Sequence, residues 1–326
     1  MNSIKPPHIP GASDAARRDS PCLAQPWAGV RRSLPKLLGA SARDESSGRL
    51  IWLASFPKSG NTWMRALLLN LMADRSEALN IRELRLPLPI ASSPEPFEDV
   101  TGLDPSLLTR EEIEMLRPAL HDILARTVGS LCFVKTHDAW VANAAHTPIL
   151  GQGAKAAIYM VRDPRDVAVS WAHHFDCTIA EAVHAVNGER LDDPDPLPGG
   201  PRRLLRRYQE GWSDHVLSWL DQTCIPVFPV RYEDLKADTA ARLRAVADFA
   251  DMNASDEQIS EAAARSDFRV LAAQEQSTGF HERVSRFSPF FREGKTGQWH
   301  EALSEHQARD IVTRNGDVMR RLGYLP

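Results

Sequence analysis

The chain has 326 residues, 43% of them hydrophobic and 25% charged, proportions ordinary for a globular protein. They exclude a mostly disordered chain, a collagen and a disulfide-stapled miniprotein. With 39 basic and 43 acidic residues the formal net charge is −4, so nothing favours bulk attraction to nucleic acid or to an anionic membrane, and any polyanion must be held by a local cluster.

Residues 1–48 contain Pro6, Pro7, Pro10, Pro21, Pro26 and Pro35 among Ser, Arg and Ala, and prolines at that density break any helix. This stretch lacks a signal-peptide core and reads as an extension, mobile or docking, ahead of one domain over residues 49–326. No stretch reaches the roughly 18 apolar residues of a membrane span; the richest, Ala66 to Ala73, is far too short. Cys22, Cys132, Cys177 and Cys224 are scattered without a C-x-x-C pair, which disfavours disulfides and a zinc site and fits a reducing compartment. The expectation is a soluble cytoplasmic protein with no membrane and no metal.

From Arg49 onward strands and helices alternate. Residues 49–56 form a short run of bulky apolar side chains, suited to a strand buried on both faces. A turn from Pro57 to Asn61 leads into a helix from about Thr62 to Ala73. Further apolar runs at 131–134, 157–161 and 225–230 end in Lys135-Thr136-His137, in Arg162-Asp163-Pro164 and in Arg231-Tyr232-Glu233-Asp234. Pro226 and Pro229 confine the last run to a sheet edge, or to pairing by its final residues only. Residues 85–110 are proline-rich and weakly patterned, and 188–201 reads as an exposed loop. Residues 202–219 predict a helix with Leu204, Leu205, Tyr208, Trp212, Val216 and Trp219 on one core-facing stripe.

Alternating strands and helices imply a parallel sheet with right-handed crossovers, an α/β fold. Ligands of such sheets bind outside the carboxyl ends of the strands. All four polar clusters lie there, so the sequence predicts one shared site.

The first cluster, Phe56-Pro57-Lys58-Ser59-Gly60-Asn61-Thr62-Trp63, is a strand, a small-residue turn with a lysine, then a helix. Unpaired N–H groups and the positive dipole end at the helix start make it a phosphate cradle. The lysine precedes the only glycine, so the G-x-x-x-x-G-K-[ST] spacing of a Walker ATPase is absent. In the third cluster Asp163 suits an N-cap, Pro164 the first helical position and Asp166 the positive helix end.

The first loop resembles the P-K-S-G-T-T-W loop of the cytosolic-type sulfotransferases, which use 3′-phosphoadenosine 5′-phosphosulfate (PAPS). The resemblance continues at Lys135-Thr136-His137, at Arg162 to Ser170 and at Arg231 to Leu235, and closes at Phe291 to Trp299. Five motifs in family order span residues 56–299, roughly three quarters of the chain. The resemblance implies a P-loop NTPase-like sulfotransferase fold, a central parallel sheet of about five strands flanked by helices, and PAPS as co-substrate without a metal.

It also implies roles. Lys58 would neutralise the leaving phosphate oxygen, Ser59, Gly60, Asn61 and Thr62 would hold the 5′-phosphosulfate, and Lys135 would touch the transferring group. His137 matches the histidine that takes the acceptor's proton, a task an imidazole suits near neutral pH. Arg162 and Ser170 fall to the donor's 3′-phosphate, as do Arg292 and Gly294 of the late R-x-G element. Relatives often carry a base where this chain has Glu293, which is expected to point away while Lys295 supplies the missing charge. Trp63 and Tyr232 would recognise adenine, and Ser266 and Phe268 lie where relatives have a T-S-F element at the purine. Arg165 reads as a solvent or salt-bridge residue, and Glu233 and Asp234 as helix-capping carboxylates.

The acceptor is a small molecule or carbohydrate bearing a hydroxyl or amine, its identity open. Asp138-Ala139-Trp140 replaces the family's turn after K-T-H, and Trp140, Trp171 or the pair His173-His174 could line its pocket. The family's K-x-x-x-T-V-x-x-x-E dimer segment is not found after Trp299, so the oligomeric state is unassigned. A nucleoside-triphosphate-dependent kinase is the second reading, opposed by the missing Walker loop. A silent nucleotide-binding scaffold is the third, opposed by the presence of Lys58 and His137.

Overall fold

A computed structural model describes residues 49–73, 78–84, 90–128, 130–189 and 205–326. The 1–48 extension, residues 85–89 and most of the 188–201 loop lie outside the described residues. Four parallel strands, β1 (Leu50–Ser55), β2 (Cys132–Thr136), β3 (Ala156–Val161) and β4 (Val227–Arg231), form one sheet in the order β2-β1-β3-β4. Among the described residues the four apolar runs give four strands, against the about five that the resemblance implies. The helices are α1 (Asn61–Met72), α2 (Pro94–Thr101), α3 (Arg110–Thr127), α4 (Pro164–Phe175), α5 (Ile179–Val186) and α6 (Trp212–Leu220). They continue as α7 (Tyr232–Ala237), α8 (Thr239–Phe249), α9 (Asp256–Arg265), α10 (Phe268–Thr278), α11 (Trp299–Ala302) and α12 (Glu305–Arg321).

Period-two alternation sorts the strand residues between two cores. Leu50, Trp52 and Ala54 of β1 face α4, α5, α6 and α12, packing with Val167, Val186, Trp219 and Ile311. Ile51 and Leu53 face the other side, where Met64, Leu67 and Leu68 of α1 meet Leu243 of α8 and Ile259 of α9. Every β1 residue is buried, as a doubly covered parallel strand requires. Pro229 sits within β4, an edge strand, where a missing N–H costs no ladder bond.

The chain runs from β1 out to β2 on one side and then returns past β1 to β3 on the other, so the strand order reverses between β1 and β3. A crevice opens at the carboxyl ends of β1 and β3 for that topological reason, and it holds the polar clusters.

The helix expected over 202–219 begins only at Trp212; its buried stripe is Trp212, Val216 and Trp219. Residues 205–211 belong to no helix or strand, and other groups capture their backbone. Leu205 N donates to Ser92 O at 2.7 Å, and Tyr208 N donates to Asp138 Oδ1 at 2.9 Å. Ala139 N donates to Tyr208 O, and Glu210 takes a left-handed φ of 49° just before the N-cap Gly211. Among its described residues the weakly patterned 85–110 stretch contains α2 and a 3-10 turn at Pro105–Leu107. Among the described residues no helix is long and apolar enough to cross a membrane, and no three His, Cys, Asp or Glu side chains gather as a metal site.

Candidate active site

The loop after β1 is shaped by backbone demands. Lys58 adopts a left-handed φ of 69° and Gly60 one of 99°; a Cβ at Gly60 would lie 2.7 Å from the Tyr232 ring, so glycine is required there. Asn61 Nδ2 donates to Leu53 O at 2.9 Å and to Ser55 Oγ at 3.3 Å, tying the start of α1 back onto β1. Lys58 Nζ lies 4.3 Å from the Phe290 ring centroid. Burial first, then the charges of Lys135 and Arg162, bring its pKa down to about 7.

Beta strand β2 delivers Lys135 and His137 beside this loop. Nδ1 of His137 lies 2.9 Å from the Ser55 carbonyl oxygen, which can only accept, so Nδ1 carries the proton and Nε2 is the basic nitrogen. Burial, and next Lys135, hold the imidazole well below its ordinary range, so it is neutral. The loop behind it is locked. Asp138 accepts from Arg117 Nη2 at 3.0 Å, Thr136 Oγ1 at 3.1 Å and Tyr208 N at 2.9 Å. Tyr159 OH meets His215 Nδ1 at 2.8 Å, and His215 Nε2 donates to the His137 carbonyl at 3.2 Å.

Arg162, at the end of β3, donates to Lys295 O at 2.9 Å, stacks 4.4 Å over the Tyr232 ring and lies 3.7 Å from Asp166. Asp163 caps α4, accepting from Arg165 N at 2.9 Å, with Pro164 at its first position. Arg165 is a salt-bridge residue, 2.6 Å from Asp163 and 3.8 Å over the Trp299 ring. Asp166 accepts from Gly297 N at 2.7 Å and Trp299 N at 3.1 Å, fastening the late glycine-rich loop. In that loop Arg292 bonds Glu293 and Gln298. Glu293 does not point away as expected: it lines the cavity and pairs with Arg292 and with Lys295 at 3.5 Å, because two cations beside it offer a nearer partner than solvent. Gly294 has a φ of 60° and packs on the Phe268 ring so closely that no Cβ fits.

These residues enclose a cavity of about 540 Å³, within the size range of small-molecule sites. Lys58, Gly60, Asn61, Thr62, Trp63, Lys135 and His137 line it, as do Arg162, Ser170, Tyr232, Phe268, Arg292 and Gly294. Two expected residues stand behind the wall. Ser59 is fully buried in the loop. Ser266 is also fully buried, its hydroxyl bound by Asn70 Nδ2 at 3.0 Å and its carbonyl by Trp63 Nε1 at 2.9 Å, so it orients Trp63 instead of reaching the cavity. Trp140 packs on Trp219 and Trp171 on Phe56 and Phe175; neither lines the cavity. His174 does, whereas His173 is exposed at its rim. Glu233 accepts from Asp163 N at 3.1 Å and Tyr324 OH at 2.9 Å, a structural role.

Sequence reasoning missed Glu282. Its carboxylate accepts from Thr62 Oγ1 at 3.2 Å, Arg65 Nη2 at 2.7 Å and Lys135 Nζ at 3.3 Å. Burial pushes it up, but Lys135 and Arg65 outweigh that and bring it down to about 2. No local pattern marks it. Arg65, one turn after Thr62 on α1, was recoverable from helical spacing.

The fit of a phosphorylated ligand rests on orphaned atoms. Ser59 Oγ and Arg162 Nε are buried donors without a partner among the described residues, and buried donors ordinarily have one. Together with Lys58 and the open start of α1 they suit an anion.

The chain matches the sulfotransferase domain family over residues 49–323, and it belongs to that family. Mouse sulfotransferase 1B1 is 28% identical over 153 residues, 44% of this chain. The match spans about half of that relative's length, 46%. Zebrafish sulfotransferase 6B1 is 26% identical over 290 residues, 86% of this chain and 80% of its own. Among solved structures, mouse sulfotransferase SULT7A1 complexed with PAP superimposes with a TM-score of 0.55 at 20% identity, covering 90% of this chain and 93% of the other. At that identity the likeness establishes the sulfotransferase fold.

Proposed function

We propose that this protein transfers a sulfuryl group from PAPS to a hydroxyl or amine of a small acceptor, in the cytoplasm. The observation that carries the reading is the convergence of Lys58, Lys135, His137 and Arg162 on one cavity beside the open start of α1. PAP is bound in the related mouse SULT7A1 structure, and androsterone with PAP in a retinol dehydratase structure.

The donor would be held by Ser59, Gly60, Asn61 and Thr62 at its phosphosulfate end, and by Arg162, Ser170, Arg292 and Gly294 at its 3′-phosphate. Trp63, Tyr232 and Phe268 would flank the base, with Ser266 acting through Trp63. Bound there, it supplies an electrophilic sulfur and a phosphate leaving group. Lys58 and the α1 dipole stabilise negative charge on that phosphate, and Lys135 does so beside the acceptor. His137 Nε2 accepts the acceptor's proton while Nδ1 stays bonded to Ser55 O, which keeps the ring in one orientation. A neutral imidazole with depressed basicity gains that proton only as the acceptor oxygen loses charge to the new bond, so proton transfer and group transfer are coupled.

The test is a thermal-shift comparison of 3′-phosphoadenosine 5′-phosphate, AMP and Mg²⁺-ATP. Saturation at about 100 times the dissociation constant adds roughly 2.7 kcal/mol of stability. A shift with the bisphosphate alone supports the donor assignment. A shift with Mg²⁺-ATP but not the bisphosphate overturns it in favour of a kinase, and no shift with any of them favours a silent scaffold.

A further inference from the structure

One wall of the cavity is unlike the rest. The stretch 205–209 runs alongside the segment carrying His137, fastened by Tyr208 N to Asp138 Oδ1, Ala139 N to Tyr208 O, and Arg117 Nη1 to Arg206 O at 3.0 Å. Arg206 turns away, 3.6 Å from Glu114 and 4.9 Å from the Tyr208 ring. Arg207 and Gln209 both line the cavity. Arg207 makes no hydrogen bond or ion pair with any described residue, whereas Lys135 and the other two guanidinium groups that line the cavity are engaged. Lys135 is held by Glu282, Arg292 by Glu293, and Arg162 by Asp166 and Lys295 O.

Apolar side chains also line the cavity. Ala91 N donates to Lys135 O at 3.0 Å, which sets Ile90 on the cavity wall beside Lys135, and Phe175 lines it from the end of α4. We propose that the acceptor is a hydroxy acid: an apolar or aromatic body carrying the reacting hydroxyl at His137 and a carboxylate that pairs with Arg207, assisted by the Gln209 amide. The inference rests on the sulfotransferase reading and names its acceptor class. A single planar guanidinium with one amide beside it matches a carboxylate fork; a dianionic group would call for a second uncommitted cation, and none lines this wall among the described residues.

Arg207 has a second effect. Its charge helps to depress both Lys135 and His137. A carboxylate seated on Arg207 cancels that push and makes His137 a stronger base at the moment the acceptor is bound. Acid acceptors therefore gain in kcat as well as in KM.

The experiment uses the full chain and paired probes, 4-hydroxybenzoate with its methyl ester and an aliphatic hydroxy acid with its ester. Binding is measured by calorimetry with 3′-phosphoadenosine 5′-phosphate present, and initial rates with PAPS. The acid of at least one pair should bind and react at least tenfold better than its ester, and Arg207→Gln should reduce that ratio to near one while still binding the bisphosphate. Equal or undetectable binding of acid and ester in every pair overturns the inference, as does a preference that survives Arg207→Gln. Bisphosphate binding is read first in the same samples. Its failure sinks the donor reading, whereas bisphosphate binding without acid preference sinks only the acceptor class.

Discussion

Lys58 and Lys135 make anion binding a proton-linked event. In the ligand-free protein Lys58 sits at about 7 instead of 10.5, and Lys135 at about 8. Burial is the larger cause for both, and neighbouring cations add to it. A bisphosphate against the two amines reverses that push and holds both charged. At pH 8 the free protein holds Lys58 mostly and Lys135 partly deprotonated, so forming the complex takes up on the order of one proton. The complex holds more protons than the free protein, so affinity is greatest below pH 7 and falls as the pH rises through 7 and 8. With both amines charged in the complex, affinity falls by on the order of a hundredfold or more between pH 7 and pH 9. In Lys58→Met only the Lys135 contribution remains, about tenfold over the same interval.

Calorimetric titration of 3′-phosphoadenosine 5′-phosphate in two buffers of different ionisation enthalpy reads the proton count directly. Uptake below a few tenths of a proton at pH 8, or the same uptake in wild type and Lys58→Met, would refute contact between Lys58 and the anion. The ligand-free fold follows the opposite trend. Its Lys58 contribution to stability improves as pH rises from about 7 toward 10, because there the unfolded chain binds the extra proton.

Replacing His137 with alanine should lower kcat by about 10²–10⁴-fold while bisphosphate affinity, by calorimetry, changes less than about threefold; wild-type turnover in that variant means another group is the base. Arg162→Ala should weaken the 3′,5′-bisphosphate about tenfold or more and AMP only slightly, and equal losses for both ligands contradict its 3′-phosphate role. Glu282→Gln should bind the bisphosphate roughly threefold to thirtyfold more tightly, because Arg65 and Lys135 lose their counter-charge, and should melt lower by about 2 kcal/mol of stability; unchanged or weaker binding would refute competition between this carboxylate and the ligand. Leu67→Ala, fully buried under the sheet, should cost about 2–5 kcal/mol in denaturant unfolding.

The parts of this molecule that sequence exposes are those whose causes lie close along the chain. The strand, turn and helix from Leu50 to Met72 follow from a bulky apolar run, a glycine that must take positive φ and an amphipathic helix, all within about twenty residues. The start of α4 is equally local, since Asp163 and Pro164 need only the next residues to act as cap and first turn. The helix over 202–219 failed for a tertiary reason. Its apolar spacing continues back to Leu205, but Ser92, Asp138 and Ala139 compete for the backbone of 205–208 and win. Propensity yields where hydrogen bonds to an already folded wall are on offer.

Charge inside the cavity was the least legible property, because the sign of a site depends on which distant residues fold into it. Lys58, Lys135, Arg162 and Arg292 are visible as motif cations, and a sum over the motifs suggests a pocket that simply waits for an anion. The fold adds Glu282, 147 residues from Lys135, and Glu293 against Arg292. Buried cations cannot stand without compensation. The protein supplies it in two ways, by pairing Lys135, Arg65 and Arg292 with carboxylates and by lowering the pKa of Lys58 to about 7. Anion binding here is then an exchange in which the ligand replaces a carboxylate and recruits a proton. The affinity gain expected of Glu282→Gln and the proton uptake expected at Lys58 have that common origin, and Arg207, which pairs with no carboxylate among the described residues, is the cation we assign to the acceptor.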